Sequence, residues 1–291
     1  MVQVVEKKWR DKVLLVSAGP PSLVQILFLL VPLGMLLVLT FQTIEFYQLT
    51  WTWNLDTWND VFSKTYYWKT LGNTLMMGAI CVVLSYLIGF PVAYALATRF
   101  KAFENHIKVL MIFAFLTDIV LKTYGWVIIL DKEGLVNWAF HSLGLVPASW
   151  ENGLVFTPIA TMGAMVYNLV PFMIFTIYLS VINVDRDLLN AAYDCGASKL
   201  RAFWEVTLPL CRPGIWAGLL LVFILSLGVF IEEKVPGGGK APMMGSLVHQ
   251  TFGTRVNWPL GAALTVVLMI VAIGLIFAFT RLYRVDRYRV P

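Results

Sequence analysis

Five long stretches of this chain contain no Asp, Glu, Lys or Arg: Val13 to Ile44, Thr70 to Thr98, Asn152 to Val184, Pro213 to Ile231 and Val256 to Thr280. A hydrocarbon core of about 30 Å is crossed by about 20 helical residues rising about 1.5 Å each, so each stretch holds one spanning helix. The longest have room for interfacial ends but not for two spans and a turn. All are apolar on every face, whereas a membrane barrel would alternate polar and apolar residues over short segments. The expected fold is all-α.

A sixth stretch, Lys108 to Leu130, is equally apolar but carries Asp118 and Lys122. Counting it gives a multi-pass integral membrane protein of six transmembrane helices, one domain over residues 1–291. The composition agrees: 59% of residues are apolar and 13% charged, against roughly half and a quarter in soluble domains.

Basic residues near helix ends set orientation. With both termini in the cytoplasm, the inner side collects Lys7, Lys8, Arg10, Lys12, Arg99, Lys101, Lys108, Arg186, Lys199, Arg201, Arg212, Arg281, Arg284, Arg287 and Arg289. Lys64, Lys69, Lys122, Lys132, Lys234, Lys240 and Arg255 are left outside or within the membrane. The net charge of +5 is thus topological, spread along helix flanks, and does not call for nucleic acid. The first apolar run is long, contains Pro32 and lacks a small-residue cleavage site, so it reads as an anchor.

Cys81, Cys195 and Cys211 suggest no disulfide framework, and His106, His141 and His249 are too scattered for a metal site. No convergent nucleophile, base or ligand set supports catalysis. The outer segment Pro236-Gly237-Gly238-Gly239-Lys240 lacks Walker A spacing, with Lys234 and Ala241 where Gly and Ser or Thr belong. Trp51, Trp53, Trp58, Tyr66, Tyr67 and Trp68 read as an interfacial aromatic belt, or alternatively as a docking surface for an outer partner. Gly134, Gly144, Pro147 and Gly153 punctuate a loop around the short apolar stretch Leu135 to Leu143, expected to form a short interfacial helix.

The inner segment Asp185 to Arg212 is helix-patterned. Asp185 and Asp187 suit an N-cap and first turn, with Leu188, Ala191, Ala192 and Cys195 on one face. Gly196 can end that helix in a left-handed conformation, and Ser198 can cap a second one carrying Leu200, Phe203 and Trp204. Pro209 disfavours helix at Leu208 while Pro213 suits a first turn, so a bent pair of short helices at a fixed angle to the membrane is expected. A small-residue face on such an elbow fits a groove on another protein; an amphipathic hairpin lying on lipid is the other reading.

This segment resembles the EAA loop of bacterial ABC importer permeases, with pattern Glu-Ala-Ala, three residues, Gly, nine residues, Ile, one residue, Leu-Pro. Here Asn190, Ala191, Ala192, Gly196, Val206, Leu208 and Pro209 stand at those spacings, departing at Asn190 for Glu and Val206 for Ile. Lys122 to Trp126, Tyr167 to Phe172 and Asn257 to Ala263 extend the resemblance, most closely to the spermidine/putrescine-type permeases. The resemblance implies a type I ABC importer permease fold in the bacterial inner membrane. It also implies a second permease subunit, a paralogue or a second copy of the same chain; two ATPase subunits carrying ATP and Mg; and an outer solute-binding protein. The chain itself would bind no cofactor and hold no catalytic residue, the EAA-type loop transmitting ATPase closure to the spans.

For the solute, Asp118 falls near the middle of the third span, where an ionised carboxylate is costly, with Lys122 one turn on. The two are either a self-neutralising pair or part of a translocation path. Glu232 and Glu233 end the fifth span, as solvated helix-end charges or as an attraction for a cation. Tyr124, Trp126, Tyr167, Asn168 and Phe172 can supply ring faces or hydrogen bonds to a cation. The expected cargo is a small amine cation resembling a polyamine; an opine, an aminophosphonate or another small organic ion is the alternative. A secondary transporter would show half-to-half repeats that are not evident here. The relatives usually carry a Thr-, Pro- and Leu-rich stretch where this chain has Glu232-Glu233-Lys234-Val235.

Overall fold

The computed structural model describes residues 2–45, 48–100, 106, 109, 112–113, 115–144 and 153–287. In chain order the elements are α1 (Val2–Leu39), strands β1 (Thr43–Glu45) and β2 (Gln48–Thr50), α2 (Asp56–Ser63), α3 (Thr65–Thr98), α4 (Ile119–Leu130), α5 (Leu135–Ser142) and α6 (Pro158–Ile182). After these come α7 (Arg186–Asp194), α8 (Lys199–Ala202), a π-turn (Phe203–Thr207), α9 (Leu208–Leu227), α10 (Ile231–Lys234), α11 (Met244–Gly253) and α12 (Trp258–Arg287). Among the described residues the regular elements are helical apart from the β1–β2 ribbon, a local addition to the all-α expectation. Thr43 pairs with Thr50 in its register, and β-branched Thr and Ile suit a strand.

Among the described residues, five helical segments are long and apolar enough to cross a membrane: Pro20–Leu39, Thr65–Thr98, Pro158–Ile182, Lys199–Leu227 and Trp258–Leu282. The sixth expected span, 108–130, lies partly outside the described residues. Its described part is not one helix: residues 112, 113, 115 and 116 are helical, the chain leaves the helix at Thr117 and Asp118, and α4 begins at Ile119.

Contacts divide the chain into two units, the first comprising the chain up to Lys64 with Thr251–Val267. In it, Trp58 Nε1 donates to Thr40 Oγ1 at 3.2 Å, Phe41 and Trp53 rings lie 5.8 Å apart, and Thr43 and Thr50 hydroxyls meet at 2.6 Å. Asn257 Oδ1 accepts from Leu260 N at 3.1 Å and so caps α12. Trp51 and Trp53 remain exposed.

The second unit, Thr65–Gln250 with Leu268 onward, is built on α3, α6 and α9. Along α3 the buried residues Thr70, Thr74, Gly78, Cys81, Ser85, Gly89, Ala93 and Ala97 repeat every three or four positions. That spacing puts small side chains on one face, and close backbone approach substitutes for the hydrophobic drive that lipid cannot provide. At Gly78 an added Cβ would stand 2.6 Å from Ser226 Oγ on α9, and at Gly89 3.0 Å from Met173 on α6. Met165, Leu169, Met173, Ile177, Val222 and Phe223 fill the space between the three helices.

Candidate functional site

At one end of the second unit lies the loop matched to the EAA pattern. Asp185 Oδ1 accepts from Asp187 N at 3.0 Å and caps α7; Gly196 turns the chain with φ +83°, and its N–H donates to Tyr193 O at 2.8 Å while Ala197 N donates to Ala192 O at 3.0 Å. Ser198 then caps α8, accepting from Arg201 N at 3.3 Å. Asn190, Ala191 and Gly196 are exposed, while Ala192, Val206, Leu208 and Pro209 are half-buried. Leu188, Tyr193, Leu200 and Trp204 are exposed too, whereas Phe203 rests edge-on against Tyr94 of α3 at 5.1 Å.

The expected break at Pro209 is not there. Leu208 is helical, with φ −63° and ψ −44°, and the helix runs from Lys199 to Leu227. A proline inside an α-helix has no N–H to donate and crowds the carbonyl four residues back. The widened π-turn Phe203–Thr207, in which Leu208 N reaches back to Phe203 O, removes that crowding. The elbow therefore turns at Gly196, and its second arm is the beginning of a span.

Deeper in the same unit is a cavity of about 680 Å³, lined by Phe115, Leu116, Thr117, Asp118, Ile119, Lys122, Asn168, Leu169, Phe172, Leu225, Gly228, Val229, Phe230, Ile231 and Glu232. The break in the third apolar stretch forms part of its wall. Non-helical backbone is tolerated at membrane depth where it lines a cavity, because its polar groups can be satisfied there. Asp118 makes that break: its Oδ1 accepts from Val120 N at 2.8 Å and Leu121 N at 3.1 Å, capping α4. It is a capping carboxylate at a helix start, not a charge in mid-helix.

Glu232 and Glu233 also differ from expectation. The span ends at Leu227, with Gly228 as its C-cap, and both glutamates lie on the separate short helix α10, 1% and 2% exposed. They are not solvated helix-end charges. Asn168 Nδ2 donates to Glu232 Oε1 at 2.9 Å and approaches Thr123 Oγ1 at 3.4 Å. Asn168 Oδ1 and Glu233 Oε2 are buried with no hydrogen-bond partner among the described residues. Both glutamates lie outside the five spans, and burial pushes both carboxyls above the ordinary carboxylate range; at Glu232 the Asn168 amide pulls the other way.

The fold thus brings Asp118, Asn168, Phe172 and Glu232 to one cavity. Glu233 does not line it. Trp126 and Tyr167 stack with each other at 5.7 Å, Trp126 Nε1 donating to Ala160 O at 3.3 Å, and Tyr124 is exposed; none of the three lines the cavity. Phe115, whose ring meets Phe172 at 4.9 Å, and Phe230, stacked on His249 at 4.6 Å, are cavity residues that the sequence did not single out. Gly228, placed to end the fifth helix two residues before Phe230, was the available signal that the chain turns inward there.

The glycine-rich segment after α10 is tied down. Phe156 N donates to Pro236 O at 2.7 Å, Asn73 Nδ2 to Pro242 O at 2.8 Å, and Met244 N to Thr74 Oγ1 at 2.8 Å. These bonds fix the connection that carries the glutamates.

Residues 89–290 match the family described as "Binding-protein-dependent transport system inner membrane component". The spermidine/putrescine transport system permease protein PotB of Haemophilus influenzae is 31% identical over 259 residues, 88% of this chain and 89% of that protein. PotB of Escherichia coli is 32% identical over 249 residues, covering 84% and 89% respectively. A bacterial ABC transporter involved in import of the acidic polysaccharide alginate has a similar fold, with TM-score 0.67 at 17% identity over 99% of both chains.

Proposed function

This chain belongs to the family of binding-protein-dependent transport system inner membrane components, and from that membership we propose that it passes a small amine cation, polyamine-like, through the cavity between α4, α6 and α10. It is a multi-pass permease subunit of a bacterial ABC importer, with the type I fold. The observation that carries the cation reading is Glu232, buried beside Asn168 and facing a cavity that also holds Asp118 and the rings of Phe115, Phe172 and Phe230. The names of the PotB relatives support the same cargo.

In this reading the chain works with a second permease subunit, two ATPase subunits that carry ATP and Mg, and an outer solute-binding protein; both termini face the cytoplasm. The elbow Asp185–Arg212 meets the ATPase through Asn190, Ala191 and Ala192, with Leu188, Tyr193, Leu200 and Trp204 as the apolar surface available to fill a groove. ATP then changes the relative stability of inward-open and outward-open states through that contact.

The test is uptake of labelled spermidine and putrescine by proteoliposomes holding the whole complex, driven by ATP inside and the binding protein outside. ATP-dependent accumulation of either amine is expected. Accumulation of an opine or aminophosphonate with no accumulation of amines would replace the cargo while keeping the class.

A further inference from the structure

Glu232 and Glu233 are consecutive, and both are almost fully buried. Their carboxyls do different things: Glu232 faces the cavity and accepts from Asn168, while Glu233 leaves Oε2 without a partner among the described residues. Several elements surround them. From α3 the Cys81 thiol stands near Glu232; from α6 comes the neutral Asn168; from α4, Asp118 and Lys122 on the same cavity. From α11 come Ser246 and, stacked on Phe230, His249; on α10 itself Lys234 acts on Glu233. The influences on Glu232 are burial, the Asn168 amide and its own backbone. Burial favours the neutral form of a carboxyl so placed, and a cation brought against it favours the charged form.

The second observation is the orphan acceptor. Asn168 spends its Nδ2 on Glu232, and its Oδ1, buried on the cavity wall, accepts nothing from the described residues. A primary ammonium brings three donors and no acceptor. It matches the carboxylate and amide oxygens of Glu232 and Asn168, two residues of one cavity lining.

We propose that Glu232 and Asn168 form an exchangeable cation site, in which Glu232 holds a proton while the cavity is empty and releases it to water when a solute ammonium settles against the two from the cavity. The ammonium keeps its own protons; one carboxyl O–H bond breaks and is replaced by an N–H···O contact. This rests on the amine reading above and adds to it that solute binding and proton release are one event. Below the pH at which the exchanging carboxyl titrates in the empty site, binding must expel a proton, so affinity falls about tenfold per pH unit.

The whole complex, in nanodiscs and weak buffer with a pH-sensitive dye, is titrated with spermidine, and binding is followed in parallel by thermal shift. Release of about one proton per bound spermidine is expected below that pH, with none on adding glucose. Glu232→Gln, which matches the shape of the protonated side chain, should abolish the release. Glu233→Gln should keep it, because Glu233 does not line the cavity. Spermidine binding that releases no proton at any pH from 5 to 9, or undiminished release from Glu232→Gln, overturns the exchange and leaves the amine reading standing. Absence of binding by spermidine, putrescine and lysine methyl ester overturns both. Should Glu232→Gln fail to assemble, the pH series on the unaltered complex decides: a flat affinity rejects the proposal.

Discussion

Asn168 on α6 and Glu232 on α10 lie 64 positions apart and meet through one hydrogen bond of 2.9 Å, amide to carboxyl. The bond joins a spanning helix to the connection that follows another span, so it holds the cavity wall in place as well as satisfying a buried acid.

Replacing Asn168 by Leu removes the donor and leaves Glu232 Oε1 buried without it. A cost of about 1–3 kcal/mol is expected for the abandoned acceptor. It should be seen as a lower unfolding temperature of the purified complex, together with reduced uptake. An unchanged unfolding temperature would show that the bond is dispensable.

Asp118 separates two roles. Asn is as good an N-cap as Asp, so Asp118→Asn should keep α4 and the assembled complex while removing the carboxylate from the cavity, with uptake of a cation lost or altered. Asp118→Ala should also lose the cap, about 1 kcal/mol. Normal uptake by Asp118→Asn would remove this residue from the path.

At Gly78 a Cβ would stand 2.6 Å from Ser226 Oγ and 3.3 Å from the Phe223 ring. Gly78→Val should therefore push α3 off α9 at a cost of about 1–3 kcal/mol or more. The measurement is the amount of assembled complex in membranes. Gly72, with open space around it, is the control position, and Gly72→Val should assemble normally.

Gly196 differs from Gly78 because nothing lies within 4 Å of the Cβ position and only its φ of +83° resists a side chain. Gly196→Ala should cost about 1–2 kcal/mol of local strain. If the elbow is the ATPase contact, solute-stimulated ATP hydrolysis should fall while the complex still assembles. Equal stimulation in mutant and parent would place the contact elsewhere.

What could be read ahead of the structure were features decided within a few residues. Asp185, Gly196 and Ser198 act on backbone groups no more than four positions away, so their capping roles are visible in the order of residues. The spans are visible because lipid demands long uncharged runs. Asp118 misled because, Thr117 apart, the residues around it are apolar; an N-cap in the middle of such a run looks like a lone charge. Pro209 misled for another reason, since the rule that it disfavours helix before it was overridden by a π-turn that no residue type announces. The burial of Glu232 depends on a partner in a different helix, and no local pattern could report that.

The chain stays helical from Lys199 through the π-turn to Leu227, a stretch of 29 residues with a length of about 43 Å at about 1.5 Å per residue. Its lower end carries the elbow, and at its upper end Leu225, Gly228 and Val229 line the cavity. A tilt of about 10° about the lower end therefore displaces the upper end sideways by about 7 Å, more than one helical turn of about 5.4 Å. If the elbow is the ATPase contact, angle at one end becomes aperture at the other, and the gain is set by the number of residues between them.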